Sequence, residues 1–316
     1  MALPLLVIES LRKVYRGNWI FDAKTAVRDA SFTVRAGEVV GLLGPNGSGK
    51  STTFKCVTGL VRPTSGRIEL MGLPPSRRES REGLGFLPED ASFHDFLTGE
   101  EFVDMAARLV GIPSSERTQR VSEILNRVGL FEARKRMIRT YSKGMTQRVG
   151  IAQAIIGRPQ LVILDEPMTG LDPIGRREVR DLIGSLGREG AGVVFSTHVL
   201  QDVELVCDRV VIMANGHVLR EGSLTELLAG QAGGAVEITV DGVHPEQVAS
   251  GDQAAAELVS RSGTTLVFRA ADAAAAERIA EATRRAGGRV IAHQPVDRRL
   301  EDVFLREVAA VSEKRS

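Results

Sequence analysis

The sequence predicts an α/β fold built on an open parallel sheet, and three short apolar runs carry that prediction. Val39–Leu43, Leu161–Leu164 and Val193-Val194-Phe195 have the length and unbroken apolar character of strands buried on both faces. Each run gives way at once to polar residues: Gly44 onward after the first, Asp165-Glu166 after the second, and Ser196-Thr197-His198 after the third. In such a sheet the carboxyl ends of the strands share one edge, and ligands collect in the crevice there. The three polar groups are therefore expected at one site.

The first group names the ligand. Gly44-Pro45-Asn46-Gly47-Ser48-Gly49-Lys50-Ser51 spells G-x-x-x-x-G-K-[ST], a phosphate-binding loop. Its glycines let backbone N–H groups approach phosphate oxygens, and the helix starting near Gly49 aims its positive end at the same anion. Lys50 is expected on the β and γ phosphates and Ser51 on Mg²⁺, with Thr52 next along the helix. Of the acid pair, Asp165 is assigned to Mg²⁺. Glu166 is left to orient or deprotonate a water attacking the γ phosphate, a role worth about 10²–10⁴ in rate. His198, emerging at the same edge, is placed to hydrogen-bond the γ phosphate or that water.

Between and around these groups lie residues that resemble the ATP-binding subunit of an ATP-binding cassette (ABC) transporter, over about residues 4–226. Lys50 and Ser51 match the Walker A loop, Leu161 to Glu166 the Walker B strand, Thr169-Gly170-Leu171-Asp172-Pro173 the D-loop and His198 the switch histidine. Tyr15 stands where the family stacks an aromatic on adenine, with an insertion around Trp19 and Phe21. The discriminating stretch is Tyr141-Ser142-Lys143-Gly144-Met145-Thr146-Gln147-Arg148, similar to the family's signature motif. Ser142 is a good N-cap, so a helix starting there exposes Ser142 and the Gly144 N–H at its positive end as a second anion site. The resemblance implies that this second site caps the nucleotide of another subunit, giving a head-to-tail homodimer that sandwiches two ATP molecules with Asp172 across the same joint.

Two departures from the commonest family pattern are informative. The signature reads S-K-G-M rather than S-G-G-Q, and Glu89 in Gly85-Phe86-Leu87-Pro88-Glu89 takes the Q-loop position. A carboxylate there approaches Mg²⁺ or a bound water but donates no hydrogen bond. Both changes resemble those in ATPase subunits of ABC-2 type exporters.

The elements in chain order follow from pattern and turn signals. Residues 5–10, 31–34 and 67–70 read as strands and match the antiparallel subdomain of the family. Residues about 92–156 are helix-rich, with apolar patterns at 102–109 and 121–128, and match the helical subdomain that touches the membrane partner. Residues 210–213 and 218–220 form a hairpin about Asn215-Gly216. After the loose stretch at 230–234, short strands at 236–240, 256–259, 266–269 and 289–292 and a helix at 272–286 suggest a ferredoxin-like α+β domain. The end, residues 300–305, resembles a closing segment of ABC-2 exporter ATPases. The expected organisation is thus a P-loop NTPase, ABC-ATPase core with antiparallel β and helical subdomains over 1–228, and a small C-terminal α+β domain over 229–316.

Composition narrows the partners. Lys plus Arg number 41 against 40 acids, and aromatics are 4%, so neither a basic footprint nor a stacking platform for nucleic acid is present. No apolar run has membrane-spanning length and no signal-type leader follows Met1, so the chain is expected in the cytoplasm, peripheral on the inner face of the plasma membrane. Cys56 and Cys207 read as small buried hydrophobes. The expected function is ATP hydrolysis driving export through a separate transmembrane permease. The alternative is a soluble ABC-type ATPase acting on nucleic acid or ribosomes.

Overall fold

Alternation along the apolar runs decides which side chain goes to which layer. The computed structural model describes residues 3–16, 23–229, 235–248, 256–295 and 300–313. In chain order the first part runs β1 (Leu6–Arg16), β2 (Ala23–Val34), β3 (Val39–Leu43), α1 (Lys50–Val57), β4 (Ser65–Leu70), α2 (Glu79–Glu82), β5 (Leu84–Leu87), α3 (Gly99–Leu109), α4 (Ser114–Arg127) and α5 (Lys143–Ile155). It continues with β6 (Leu161–Leu164), α6 (Pro173–Arg188), β7 (Gly192–Thr197), α7 (Leu200–Val206), β8 (Arg209–Ala214), β9 (His217–Ser223) and α8 (Leu224–Ala229). The strands form one sheet in the order β4-β1-β2-β9-β8-β3-β7-β6-β5.

Every residue of β3, β6 and β7 is buried. Successive side chains of a strand point to opposite faces. Val162, Leu164, Val193 and Phe195 accordingly join one apolar cluster with α3, α4, α5 and α6. Leu161, Ile163, Val194, Val40 and Leu42 join the other, with Phe54, Cys56 and Val57 of α1. Each large aliphatic buried this way contributes about 1.5–3 kcal/mol. β3 pairs in parallel with β7 and β8, and β6 with β5 and β7, so the carboxyl ends of these strands open on one edge.

The expected antiparallel strands are present and longer than their patterns suggest. β1 runs antiparallel to both β2 and β4. Its alternation breaks at a bulge where Ser10 has φ 46°, which hides the continuation of the strand from a period-two reading. In the helical stretch, Thr98 and Glu101 form a reciprocal cap that starts α3, and Phe102, Val103 and Ala106 pack with Val121, Ile124 and Leu125. Leu109, read as part of the same stripe, is left 80% exposed. Among the described residues no helix is long and apolar enough to cross a membrane.

The chain divides into two compact units, Met1–Leu227 with Val303–Ser316, and Leu228–Asp302. The second contains β10 (Val236–Asp241), α9 (Pro245–Val248), β11 (Ala256–Ser262), β12 (Thr265–Ala270), α10 (Ala273–Arg285) and β13 (Arg289–Pro295), in a sheet ordered β11-β12-β10-β13. That is the strand order of a βαββαβ ferredoxin-like unit, with alternate residues of β10 and β12 buried against α10. The last helix, α11 (Leu300–Glu313), differs from the sequence assignment of everything past 229 to the second domain. From Val303 it belongs to the first unit, where Glu307 pairs with Arg220 of β9 at 3.3 Å.

Candidate active site

The phosphate loop is built by close backbone approach. A Cβ on Gly44 would collide with the Met213 carbonyl, and one on Gly49, at φ 111°, would lie 2.6 Å from the Ala26 carbonyl. The β8–β9 turn supports the loop from the side. Asn215 and Gly216 have φ 50° and 82°, as the Asn-Gly signal requires, and the Gly216 N–H donates to the Ser48 carbonyl at 2.9 Å. Asn46 and Gly47 are exposed at the top of the loop and Pro45 is half-buried, whereas Ser48 is buried and its Oγ has no hydrogen-bond partner. α1 then carries Lys50, Ser51 and Thr52 on its first turn.

Lys50 is 5% exposed and folds back over the loop. Its Nζ donates to the carbonyls of Gly44 at 2.7 Å and Pro45 at 3.3 Å and lies 3.4 Å from Glu166 Oε1. The two acids beyond β6 are handled differently. Asp165 Oδ1 accepts from Ser196 Oγ at 2.6 Å. Burial raises the Asp165 carboxyl above the usual range, while the hydroxyls of Ser196 and Ser51 pull it down. Glu166 turns away at φ 49°, a left-handed conformation held by its N–H donating to the same Ser196 Oγ at 2.8 Å.

The bend leaves Glu166 with two unlike oxygens. Oε2 accepts from Thr169 Oγ1 at 2.9 Å and meets His198 Nδ1 at 3.0 Å. Oε1 faces Lys50 and has no hydrogen-bond partner. His198, 45% exposed, closes the site from the end of β7. Glu89 follows β5, whose Leu87 carbonyl accepts from the Asp165 N–H at 2.8 Å. Its carboxyl is raised by burial and by the charges of Asp165, Glu166 and Asp90, against the pull of Lys50, so it shares the field of the same cluster.

The other expected residues lie elsewhere in the chain. Tyr15 is 37% exposed on β1, pairs with Lys24, and has the Lys13 ammonium 4.8 Å from its ring centre. Trp19 and Phe21 fall outside the described residues. Ser142 caps α5 by accepting from the Met145 N–H at 3.3 Å, and a Cβ on Gly144 would touch Leu171 at 3.7 Å. The signature thus rests on its own chain's D-loop, where Asp172 caps α6 by accepting from the Gly175 N–H at 2.7 Å. Two residues at the site escape the sequence reading. Ser196 is legible there only as a step toward His198 and Thr169 only as the head of the D-loop.

The donor set suits Mg²⁺ better than a protein-caged ion. Among the described residues no group of three His, Cys, Asp or Glu side chains could hold a metal. Ser51 and the buried Asp165 present hard oxygens side by side, which fits an ion that takes one or two protein ligands plus phosphate oxygens.

A phosphate loop, a strand ending in two acids and a histidine closing the same edge define a P-loop ATPase cassette. The sequence model described as ABC transporter matches residues 27–169. An uncharacterized ABC transporter ATP-binding protein, YxlF of Bacillus subtilis (strain 168), is 39% identical over 97% of this chain and 100% of its own length. A second, all4389 of Nostoc sp. (strain PCC 7120), is 46% identical over 72% of this chain and 69% of its own. The solved cassette MJ0796, a bacterial ABC transporter protein described as dimeric, is similar with a TM-score of 0.64 at 25% identity, over 69% of this chain and 98% of that one. It has also been solved in a post-hydrolysis state bound to ADP and Pi. The chain belongs to the ABC transporter ATP-binding family and is an ATP-binding, ATP-hydrolysing subunit. The alternative of an ATPase acting on nucleic acid or ribosomes finds no support in these relatives.

Proposed function

We propose that this subunit powers an ABC-2 type exporter, closing head to tail on a second copy of itself around two ATP molecules and passing that motion to a separate permease at the cytoplasmic face of the membrane. The asymmetry of Glu166 is the observation that carries the chemistry. Lys50 holds Oε1 only while no phosphate competes for it, since a γ phosphate offers the ammonium a stronger, charge-assisted partner. Oε1 is then free to take a proton. A water activated there attacks the γ phosphorus, its proton passing to Glu166 as the bond to the bridging oxygen of ADP breaks and phosphate leaves. Thr169 keeps the other oxygen occupied, and His198, which meets the same oxygen before nucleotide arrives, turns to the γ phosphate.

Around that step, the N–H groups of Gly47, Ser48, Gly49 and Lys50 cradle phosphate oxygens, and Tyr15 takes the adenine. Mg²⁺, held by Ser51 and Asp165 with Glu89 nearby, neutralises phosphate charge when bound. Ser142 and Gly144 cap the γ phosphate of the partner copy, with Asp172 beside them. Two observations support a second copy on this face: Ser142 is exposed at a helix start, and Ile174 is 72% exposed beside Asp172. The Lys143, Met145 and Glu89 departures favour the export branch.

The test separates binding from chemistry. Glu166→Gln removes the charge but keeps the size, so it should bind MgATP, run as a dimer on sizing in MgATP, and turn over about 10²-fold more slowly or worse. A mutant hydrolysing ATP at the wild-type rate excludes Glu166 as the base.

A further inference from the structure

We infer that Thr169 is a positioning residue for the catalytic carboxylate, its hydroxyl setting which oxygen of Glu166 is offered to the attacking water. The inference rests on the assignment of Glu166 as general base. Thr169 sits three residues beyond Glu166 across a tight turn, in which its N–H donates to the Glu166 carbonyl at 3.2 Å and its Oγ1 donates to Oε2 at 2.9 Å. One residue thus ties both the backbone and the side chain of Glu166. Pro167 at the second position of that turn supplies a fixed φ that suits a tight turn.

The tie has a consequence for rotation of the carboxylate. Glu166 stands in left-handed backbone, so the strand does not aim its side chain; local bonds must. His198 meets the same oxygen but is 45% exposed and is assigned to the phosphate, so its bond is the one that shifts when nucleotide arrives. Lys50 leaves Oε1 for phosphate on the same event. Thr169 Oγ1 is the remaining donor, and it keeps Oε2 occupied and Oε1 forward during the turnover. Without it the carboxylate samples rotamers in which neither oxygen faces the water, and a misplacement of this kind costs rate with little cost in binding.

The experiment uses the full chain and three variants. Thr169→Val keeps shape and removes the hydroxyl, Thr169→Ser keeps the hydroxyl, and Glu166→Ala removes the group being positioned. Thr169→Val should lower kcat about tenfold while the Kd of a fluorescent ATP analogue and the KM for MgATP change less than twofold. Thr169→Ser should restore at least half of the wild-type kcat. In a Glu166→Ala background, adding Thr169→Val should alter residual turnover less than twofold, because the tie then has nothing to hold. Wild-type kcat in Thr169→Val, or an equal fold loss in both backgrounds, overturns the proposal. Wild-type turnover in Glu166→Ala alone overturns the general-base assignment beneath it instead.

Discussion

Replacing Lys50 by Ala tests the phosphate loop through two effects of opposite visibility. In wild type, MgATP at about 100 times its Kd adds roughly 2.7 kcal/mol to stability. For a unit of this size that is a rise in Tm of about 5–11 °C, at roughly 2–4 °C per kcal/mol. The mutant should show a nucleotide shift below about 2 °C, because it lacks the charge assigned to the β and γ phosphates. Without nucleotide the mutant should also be less stable, since Glu166 Oε1 is buried and Lys50 is its counter-charge. Stranding one partner of a buried pair costs about 3–5 kcal/mol. Here the separation is 3.4 Å rather than a short charge-assisted bond, and exposed Asn46 and Gly47 admit water nearby, so about 1–2 kcal/mol is expected. Adding Glu166→Gln to Lys50→Ala should recover part of that loss. Thermal unfolding with and without MgATP measures both numbers. A Lys50→Ala chain whose nucleotide shift equals wild type would refute the assignment of this loop.

Three further outcomes follow from the packing. Gly44→Ala should unfold at least 5 °C lower or fail to accumulate, because its Cβ collides with the Met213 carbonyl; an unchanged Tm contradicts the loop geometry. Ser196→Ala removes one oxygen that both accepts from Glu166 N–H and donates to Asp165, so it should cost about 1–3 kcal/mol and reduce turnover, both read from one preparation by unfolding and ATPase assay. The Cys56 thiol is pushed by burial from 9.0 to about 11, so its contribution is intact below pH 9 and is lost as pH rises from 9 toward 11. Wild type should then lose Tm more steeply over that interval than Cys56→Ala, and parallel curves would sink the point.

What the sequence made legible and what it hid have one physical source. The phosphate loop, the two acids and His198 are read directly because each stands at the end of an unbroken apolar run, where the parallel sheet itself puts them on one edge. Ser196 and Thr169 are not legible as site residues, since their roles depend on where Glu166 bends. That bend at φ 49° is stabilised by Ser196, 30 residues away in sequence and one strand away in space. Strand length was hidden in the same manner: β1 runs through a bulge at Ser10 that breaks its alternation. In the tail, the strands and α10 follow from local pattern, but the return of α11 to the first unit from Val303 rests on contacts such as Arg220 with Glu307, which no local pattern encodes.

The central claim, that each ATP site needs two copies of the chain, is tested most directly by crosslinking. Asn46 on the phosphate loop and Ser142 at the signature are both exposed, unlike buried Ser48, so cysteines placed there are free to react. In a chain lacking Cys56 and Cys207 and carrying Glu166→Gln, Asn46→Cys with Ser142→Cys should give an intermolecular disulfide whose yield rises several-fold with MgATP. A crosslink formed only within one chain, or one whose yield ignores nucleotide, would contradict the head-to-tail dimer.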